Sequence, residues 1–279
     1  MLGLKPVFVD INPCTFVINE YLIKQAITER TRAIIPVHLF GQAANMEAIM
    51  KIAKMNDIAV IEDNAQAIGA DFIFSDASKA KLGTIGHIGC TSFFPSKNLG
   101  CYGDGGALFT NDEKLAQKIQ LIANHGSAQR YHHTAIGVNS RLDSMQAAVL
   151  NTKLKYLDQY NQARQKAAKF YTAHLSGIAQ LTTPKEARYS THIFHQYTLL
   201  VEQNRDGLAT HLKSVGIPTG IYYPIPLHLQ AAYENEQYKT GDFPVAEEMA
   251  SKVLSLPMHT ELTEDIQYFI IQHIKDYVS

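Results

Sequence analysis

Apolar residues in the first third of the chain come in short runs that stop at a polar or turn-prone position. "VFVD" at 7–10, "AIIPV" at 33–37 and "AVIED" at 59–63 are such runs, and at this length they read as buried strands. Between the last two, "NMEAIMKIAKMN" at 45–56 changes period. Met46, Ile49, Met50 and Ala53 fall on one helical face, and Asn45 stands where its side-chain oxygen caps the first turn. Strand and helix alternate, which predicts an α/β fold with a mostly parallel sheet wrapped by helices. Two further strand-like runs follow, "IGCTSFF" at 88–94 and "GALFT" at 106–110. Their connection is too short for a helical crossover, so antiparallel neighbours are expected.

The pattern changes again at 140. "SRLDSMQAAVLNTKLKYLDQYNQARQKAAKFYTAHL" has Ser140 and Asp143 in capping-box spacing and apolar residues at 142, 145, 149 and onward, predicting one long helix. Such a helix marks the passage from a large domain at 1–154 to a smaller α+β domain at 155–279. The second part offers a strand-like "HQYTLLV" at 195–201, a helix around "GLATHLKSVG" at 207–216 and a Pro/His-rich loop "YYPIPLHLQ" at 222–230.

A chain of 279 residues buries a sizeable core and sits near the size at which one domain gives way to two. Its 25 basic and 26 acidic side chains nearly cancel, which argues against a nucleic-acid or anionic-membrane partner held by bulk charge. Cys14, Cys90 and Cys101 are an odd number without paired spacing, and no leader-like run opens the sequence; a reducing cytoplasm is the expected location. The longest apolar runs fall far short of the roughly 20 residues that cross a bilayer.

Two residues draw attention chemically. Asp63 ends a strongly apolar strand and precedes "NAQA". Ligands of open α/β sheets bind at the carboxyl ends of the strands, although an Asp there also serves to cap a helix. Lys97 stands in "TSFFPSKNLG", directly after another predicted strand. A loop lysine is ordinarily a solvated charge, but a Ser/Pro/Gly loop can hold an amine at a depth where desolvation lowers its pKa. A neutral amine attacks carbonyls, and a lysine in Schiff-base linkage to an aldehyde, with a carboxylate on the pyridinium nitrogen, is what pyridoxal phosphate (PLP) chemistry needs.

Other motifs carry less. "GTIGHIG" at 83–89 has the wrong glycine spacing and precedes a strand, so it is not a dinucleotide fingerprint. "GDGG" at 103–106 lacks the Gly-Lys-Ser/Thr of a phosphate loop and reads as a turn returning the Lys97 loop to the sheet. His132 and His133, adjacent in a strand, point to opposite faces and have no Cys or acidic partner at ligand spacing, so no metal site is expected.

Several long runs, among them "PVHLFGQAANMEAIMKIAK" (36–54), "IEDNAQAIGA" (61–70), "TSFFPSKNLGCYGDGGALFTND" (91–112), "GVNSRLDSMQAAVL" (137–150), "GIYYPIPLHLQAAY" (220–233) and "LSLPMHTELTEDI" (254–266), closely resemble the DegT/DnrJ/StrS-type sugar-nucleotide aminotransferases. The likeness extends in order over essentially the whole chain. It implies a fold-type I PLP enzyme in which Lys97 carries the Schiff base, Asp63 pairs with the pyridinium nitrogen, Gln66 lies against the ring hydroxyl and Ser92 donates to the phosphate. It implies that Asn139 reaches the phosphate from the partner subunit of a homodimer with a shared active site. Arg141, Tyr223, His228 and the "RYHH" of 130–133 are placed by the same analogy near the sugar nucleotide. Read from the residues alone, Ser92 alternates with Thr91 and a core-facing orientation stays open, and Asn139 with Ser140 stays open as a helix cap.

The implied reaction transfers an amino group from an amino acid, glutamate by family resemblance, to a keto sugar nucleotide. A 3-keto acceptor in amino-sugar or surface-polysaccharide biosynthesis is the expectation. A sugar dehydratase or deoxygenase of the same fold is the alternative within PLP chemistry, but those enzymes put a histidine where Lys97 stands. An inactive remnant is the non-enzymatic alternative, because family members normally begin well before the equivalent of "GLKPVFVDINP". That earlier segment supplies strands, a helix, a phosphate-binding Gly-Ser/Thr pair and a ring-stacking aromatic. The polypeptide alone is therefore expected to be poorly soluble or to bind PLP weakly; a monodisperse 279-residue chain that binds PLP tightly overturns this.

Overall fold

The computed structural model describes residues 3–233 and 237–278. Helix α1 (Glu20–Ala26) leads into strand β1 (Ala33–Ile34), and helix α2 (Met46–Met55) carries the chain to β2 (Ala59–Asp63), parallel to β1. A hairpin of β3 (Asp71–Ile73) and β4 (Lys79–Lys81) follows. The chain then docks β5 (Ile88–Ser92) parallel to the other side of β2, and β6 (Gly106–Phe109) pairs antiparallel with β5. The sheet order is β1-β2-β5-β6. The mostly parallel α/β sheet and the antiparallel β5/β6 pair match the sequence reading, with one difference: a hairpin, not a helix, fills the β2 to β5 crossover.

Helix α2 shows why the local pattern works. Asn45 Oδ1 accepts from Ala48 N at 3.3 Å, and Met46, Ile49, Ile52 and Ala53 are buried against the sheet. Met50 is only partly buried; Ile52 takes the place on the buried face that the sequence reading gave it.

Residues 7–10, expected to be a strand, are not one; they sit outside any sheet. Their polar groups are met by side chains and a helix end instead of a ladder. Phe8 N donates to Tyr238 Oη at 3.0 Å, and its ring packs on those of Tyr238 and Phe243. The Asp10 carboxylate accepts from Val245 N and Ala246 N, two of the unpaired donors that open a helix.

Beneath the sheet lies a buried carboxylate. Side chains alternate along β2, so Val60 and Glu62 face the core while Ile61 and Asp63 face the other way. Glu62 is fully buried and accepts from His38 Nε2 at 2.9 Å and from the backbone N–H of Gly83, Ile85 and Gly86 at 2.8, 2.6 and 2.5 Å. His38 Nδ1 accepts from Ala44 N at 3.1 Å, so Nε2 carries the proton that points at Glu62. Residue 89 must be glycine, because a Cβ there would lie 2.0 Å from Gly83 O. The glycines of "GTIGHIG" thus wrap a loop round an anion that belongs to the protein itself.

The single helix expected from 140 to 175 is two helices, α4 (Ser144–Leu154) and α5 (Leu157–Leu175), separated at Lys155 and Tyr156. The capping box does not form: Ser140 N donates to Ala123 O, and Asp143 precedes α4 without a side-chain cap bond. Helix α3 (Glu113–Ala123) and the hairpin β7 (Ser127–Gln129) and β8 (His132–His133) lie between β6 and α4. Both helices reach the core beneath the Lys97 loop, through Leu150 and Leu157, and only α5 continues into a second one. Leu150 of α4 joins Phe93, Leu99 and Cys101 beneath the Lys97 loop, whereas Ala168, Tyr171 and Leu175 of α5 enter a second core.

That second core is built on an antiparallel sheet of β9 (Leu181–Thr182), β10 (Tyr197–Val201) and β11 (Val253–Leu256), with β10 central and buried throughout. Helices α6 (Arg205–Ser214), α7 (Pro244–Lys252) and α8 (Glu264–Val278) complete it. No helix among the described residues is long and apolar enough to cross a membrane.

Burial alone pushes the Glu62 carboxyl up, but the His38 ring and the N–H groups of Gly86 and Gly83 outweigh it, and the net direction is below the ordinary 4.5. A depressed carboxylate contributes stability that is fully present above its unfolded pKa and is lost as pH falls through the folded one. Glu62→Gln removes the charge and turns an amide N–H₂ toward backbone donors. We expect it to cost about 3 kcal/mol or more at pH 7 and to flatten the wild-type loss of stability below about pH 4.5, both measured by urea denaturation across pH.

Candidate active site

The open face of the first sheet carries Asp63, Cys90 and Leu108 side by side across β2, β5 and β6, with Val37, past the end of β1, bridged to Asp63. Asp63 and Ser92 end parallel strands β2 and β5, so both lie at the same carboxyl edge. Alternation answers the question left open at Ser92. Thr91 is buried with Oγ1 donating to Asn64 O at 3.1 Å, while Ser92 takes the face of Asp63 and its Oγ accepts from Phe94 N at 3.2 Å.

Lys97 follows in a turn closed by Lys97 N donating to Phe94 O at 2.8 Å. The loop is held on both sides. Phe93, Leu99 and Cys101 are buried under it, Lys153 Nζ of α4 donates to Gly100 O at 2.7 Å, and Gln146 Oε1 accepts from Tyr102 N at 2.8 Å. Gly100 is pressed so closely on the returning chain that a Cβ would lie 2.5 Å from Pro95 O. Burial pushes the Lys97 ammonium below the usual lysine value, while the Asp63 carboxylate pulls it part of the way back. The two groups therefore share one electrostatic environment.

Asp63 Oδ1 accepts from Ala65 N at 3.0 Å, which turns the chain toward Gln66. Gln66 Oε1 accepts from Phe40 N at 2.7 Å and its Nε2 donates to Tyr223 Oη at 3.2 Å. Tyr223 comes from the 222–230 loop of the second half of the chain, so two residues far apart in sequence meet at this edge. An amine, a carboxylate, an amide and a hydroxyl here suit the aldehyde, ring nitrogen, ring hydroxyl and phosphate of PLP in turn.

The remaining predicted residues have contacts of their own. Asn139 Oδ1 accepts from Arg141 Nε at 3.1 Å, and both are exposed within the 125–143 segment. Beside them Ile136 and Val138 are 98% and 57% exposed. Asn139 does not cap α4, which starts five residues later. In the "RYHH" run, Arg130 lies over the Tyr131 ring and His133 Nδ1 meets His125 O at 2.9 Å. His228, expected near the substrate, is buried with Nε2 against Glu247 Oε1 at 2.9 Å and its ring on Phe243. Its contact is internal: it ties the loop that bears Tyr223 to α7.

Sequence reasoning missed the polar groups behind Lys97. The buried stripe of α5 runs Leu157, Asn161, Arg164, Ala168, Tyr171, Leu175, spaced four and three throughout. Two polar residues on an otherwise apolar stripe are a readable signal of buried partners. Arg164 Nη1 donates to the carbonyls of Phe194, His195 and Met258 at 3.2, 3.2 and 3.1 Å, and burial brings its pKa down to about 10.

The family model described as the DegT/DnrJ/EryC1/StrS aminotransferase family matches residues 1–275. The chain is 48% identical over 277 residues to a "Pleiotropic regulatory protein" of Geobacillus stearothermophilus, covering 99% of this chain and 73% of that one. It is 47% identical over 262 residues to a UDP-2-acetamido-2-deoxy-3-oxo-D-glucuronate aminotransferase of Pseudomonas aeruginosa, covering 94% and 70%. Among solved structures, S. venezuelae DesV in complex with a ketimine intermediate superposes with a TM-score of 0.93 at 38% identity, covering 98% of this chain and 72% of that one.

Because Asp63 raises the Lys97 pKa, Asp63→Asn should lower it further. The pH midpoint at which Lys97 reacts with PLP, fixed with borohydride and read by peptide mass mapping, is expected to move down in that variant. An unchanged midpoint would mean that the two groups do not interact.

Proposed function

The chain belongs to the DegT/DnrJ/EryC1/StrS aminotransferase family, whose members depend on PLP, and from that premise we propose that Lys97 and Asp63 are the groups through which it aminates a keto sugar nucleotide. The observation that carries the residue roles is the pairing of a desolvated lysine with a strand-end carboxylate on one sheet edge. The acceptor is a nucleotide-linked sugar with its keto group at carbon 3, as the printed activity of the P. aeruginosa relative suggests. Glutamate is the donor, and the product enters amino-sugar or surface-polysaccharide biosynthesis in the cytoplasm. The PLP-binding part is the large domain at 1–154, with the small domain at 155–279.

When bound, PLP supplies an aldehyde for amine exchange and a ring that accepts an electron pair. The chain's own residues do the rest. Lys97 Nζ would hold the aldehyde, and its amine would move the α-proton of the donor as general base and then general acid, worth roughly 10²–10⁴ in rate. The Asp63 carboxylate would hold a proton on the ring nitrogen. Gln66 would orient the ring through its hydroxyl, and Ser92 would donate to the phosphate. Tyr223, already on Gln66, would meet the sugar. His228 fixes the loop that carries it.

A homodimer with shared sites accounts for Asn139 and Arg141, which stand exposed next to uncovered apolar side chains. In that arrangement Asn139 reaches the phosphate of the partner's site.

Wild-type protein with PLP should show a visible absorption band that glutamate bleaches, and Lys97→Ala should show neither. Mixing Lys97→Ala with Asn139→Ala should restore bleaching that each variant lacks alone, since one site per mixed dimer is then intact. Absence of restoration would place Asn139 outside the partner's site, and a glutamate-sensitive band in Lys97→Ala would remove Lys97 from its role.

A further inference from the structure

Directly behind Lys97 lies a group of amides that the reaction does not use. Asn98 is buried, and every polar atom of its side chain is engaged. Its Nδ2 donates to Asn161 Oδ1 at 2.7 Å and to Ile193 O at 3.4 Å, and its Oδ1 lies 3.3 Å from His195 Nδ1. Asn161, also buried, uses its own Nδ2 to donate to Ile68 O at 3.3 Å. Ile68 lies two residues beyond Gln66 and five beyond Asp63. One side chain of α5 therefore touches both loops that carry the proposed cofactor contacts: the Lys97 loop through Asn98, and the Asp63–Gln66 loop through Ile68.

The fit leaves little play. A Cβ on Gly69 would stand 2.7 Å from Asn161 Nδ2 and 3.2 Å from the Leu157 side chain. His195 completes the group in one protonation state. Burial, with Lys97 and Arg164 nearby, brings it down to about 3, so near neutrality the ring is uncharged and one nitrogen bears a hydrogen for Asn98 Oδ1. Buried amides of this kind are held in one orientation because each unmade bond costs the full desolvation of its atoms.

From this geometry we infer that Asn161 and Asn98 form a buried amide clamp that sets the spacing between the Lys97 loop and the Asp63–Gln66 loop. Asn161 is thus a positioning residue: it touches no reacting atom and acts through Asn98. The inference rests on the reading of Lys97 as the PLP-bearing lysine. It predicts that losing the clamp admits water beside Lys97 and relieves the desolvation that holds its pKa down.

The test uses Asn161→Ala and the milder Asn161→Ser, with Leu208→Ala as a control that opens a cavity in the second core away from the clamp. Each protein is treated with PLP across a pH series, fixed with borohydride and mapped by mass spectrometry, and the rate of glutamate bleaching is followed on the PLP-loaded protein. Both Asn161 variants should still carry PLP on Lys97. Their midpoint for Lys97 modification should move up, and bleaching should slow roughly tenfold or more, as expected when reacting groups lose their alignment. Leu208→Ala should lower the melting temperature yet keep the wild-type midpoint and rate. A wild-type midpoint and rate in either folded Asn161 variant overturns the clamp. So does an equal change in Leu208→Ala, which would make the effect one of stability. Failure of the underlying reading looks different: in the wild type, PLP would be fixed on a residue other than Lys97.

Discussion

The Glu62 carboxylate, buried with four hydrogens aimed at it, one from the His38 ring and three from backbone N–H groups, is the constraint on which the geometry of the first sheet depends. A buried anion is tolerated only when its lone pairs are met, and the three backbone donors that meet them come from the loop between β4 and β5. Anchoring that loop sets the height of β5 against β2. The next residue along β2 is Asp63, and pleating turns it to the opposite face. The core carboxylate and the site carboxylate are thus neighbours in sequence with opposite electrostatic tasks: one is neutralised inward by fixed donors, the other is kept open toward the lysine.

Lys97 is shaped by two opposed effects of comparable kind. Desolvation favours its neutral form and Asp63 favours its charged form, with the first prevailing. A lysine buried without a carboxylate nearby would lose its proton more readily but would have nothing to hold the ring nitrogen of a bound cofactor. A fully exposed one would stay charged. The loop therefore has to hold the amine at an intermediate depth, which explains why it is fastened from beneath by apolar side chains and from the side by Lys153 and Gln146.

Much of this was legible in the sequence. Short apolar runs found β1, β2, β5 and β6, and the 3.6-residue period found α2, because local pattern and tertiary burial agree at those places. Asp63 was legible as the polar residue that ends an apolar strand and Lys97 as a charge in the loop after β5, whereas the cofactor roles expected of them came from the family resemblance. Three features were hidden, each for a physical reason. "VFVD" has the composition of a strand, but its partners are an aromatic cluster and a helix end more than two hundred residues away. The run from 140 keeps helical periodicity through the break at 155 and 156, and nothing in its pattern marks where α4 ends. The role of the glycines at 83, 86 and 89 depends on which side Glu62 points, and periodicity does not reveal the donors it meets there.

Helix α5 is 19 residues long, about 28 Å at 1.5 Å per residue. Its first turns are fastened beside Lys97 by Leu157 and Asn161, and its last turns are embedded in the second core by Tyr171 and Leu175. A stiff beam seated at both ends restricts how the two halves can shift. The Lys97 loop and the second core therefore share one rigid element, and a displacement of either is carried to the other along its length.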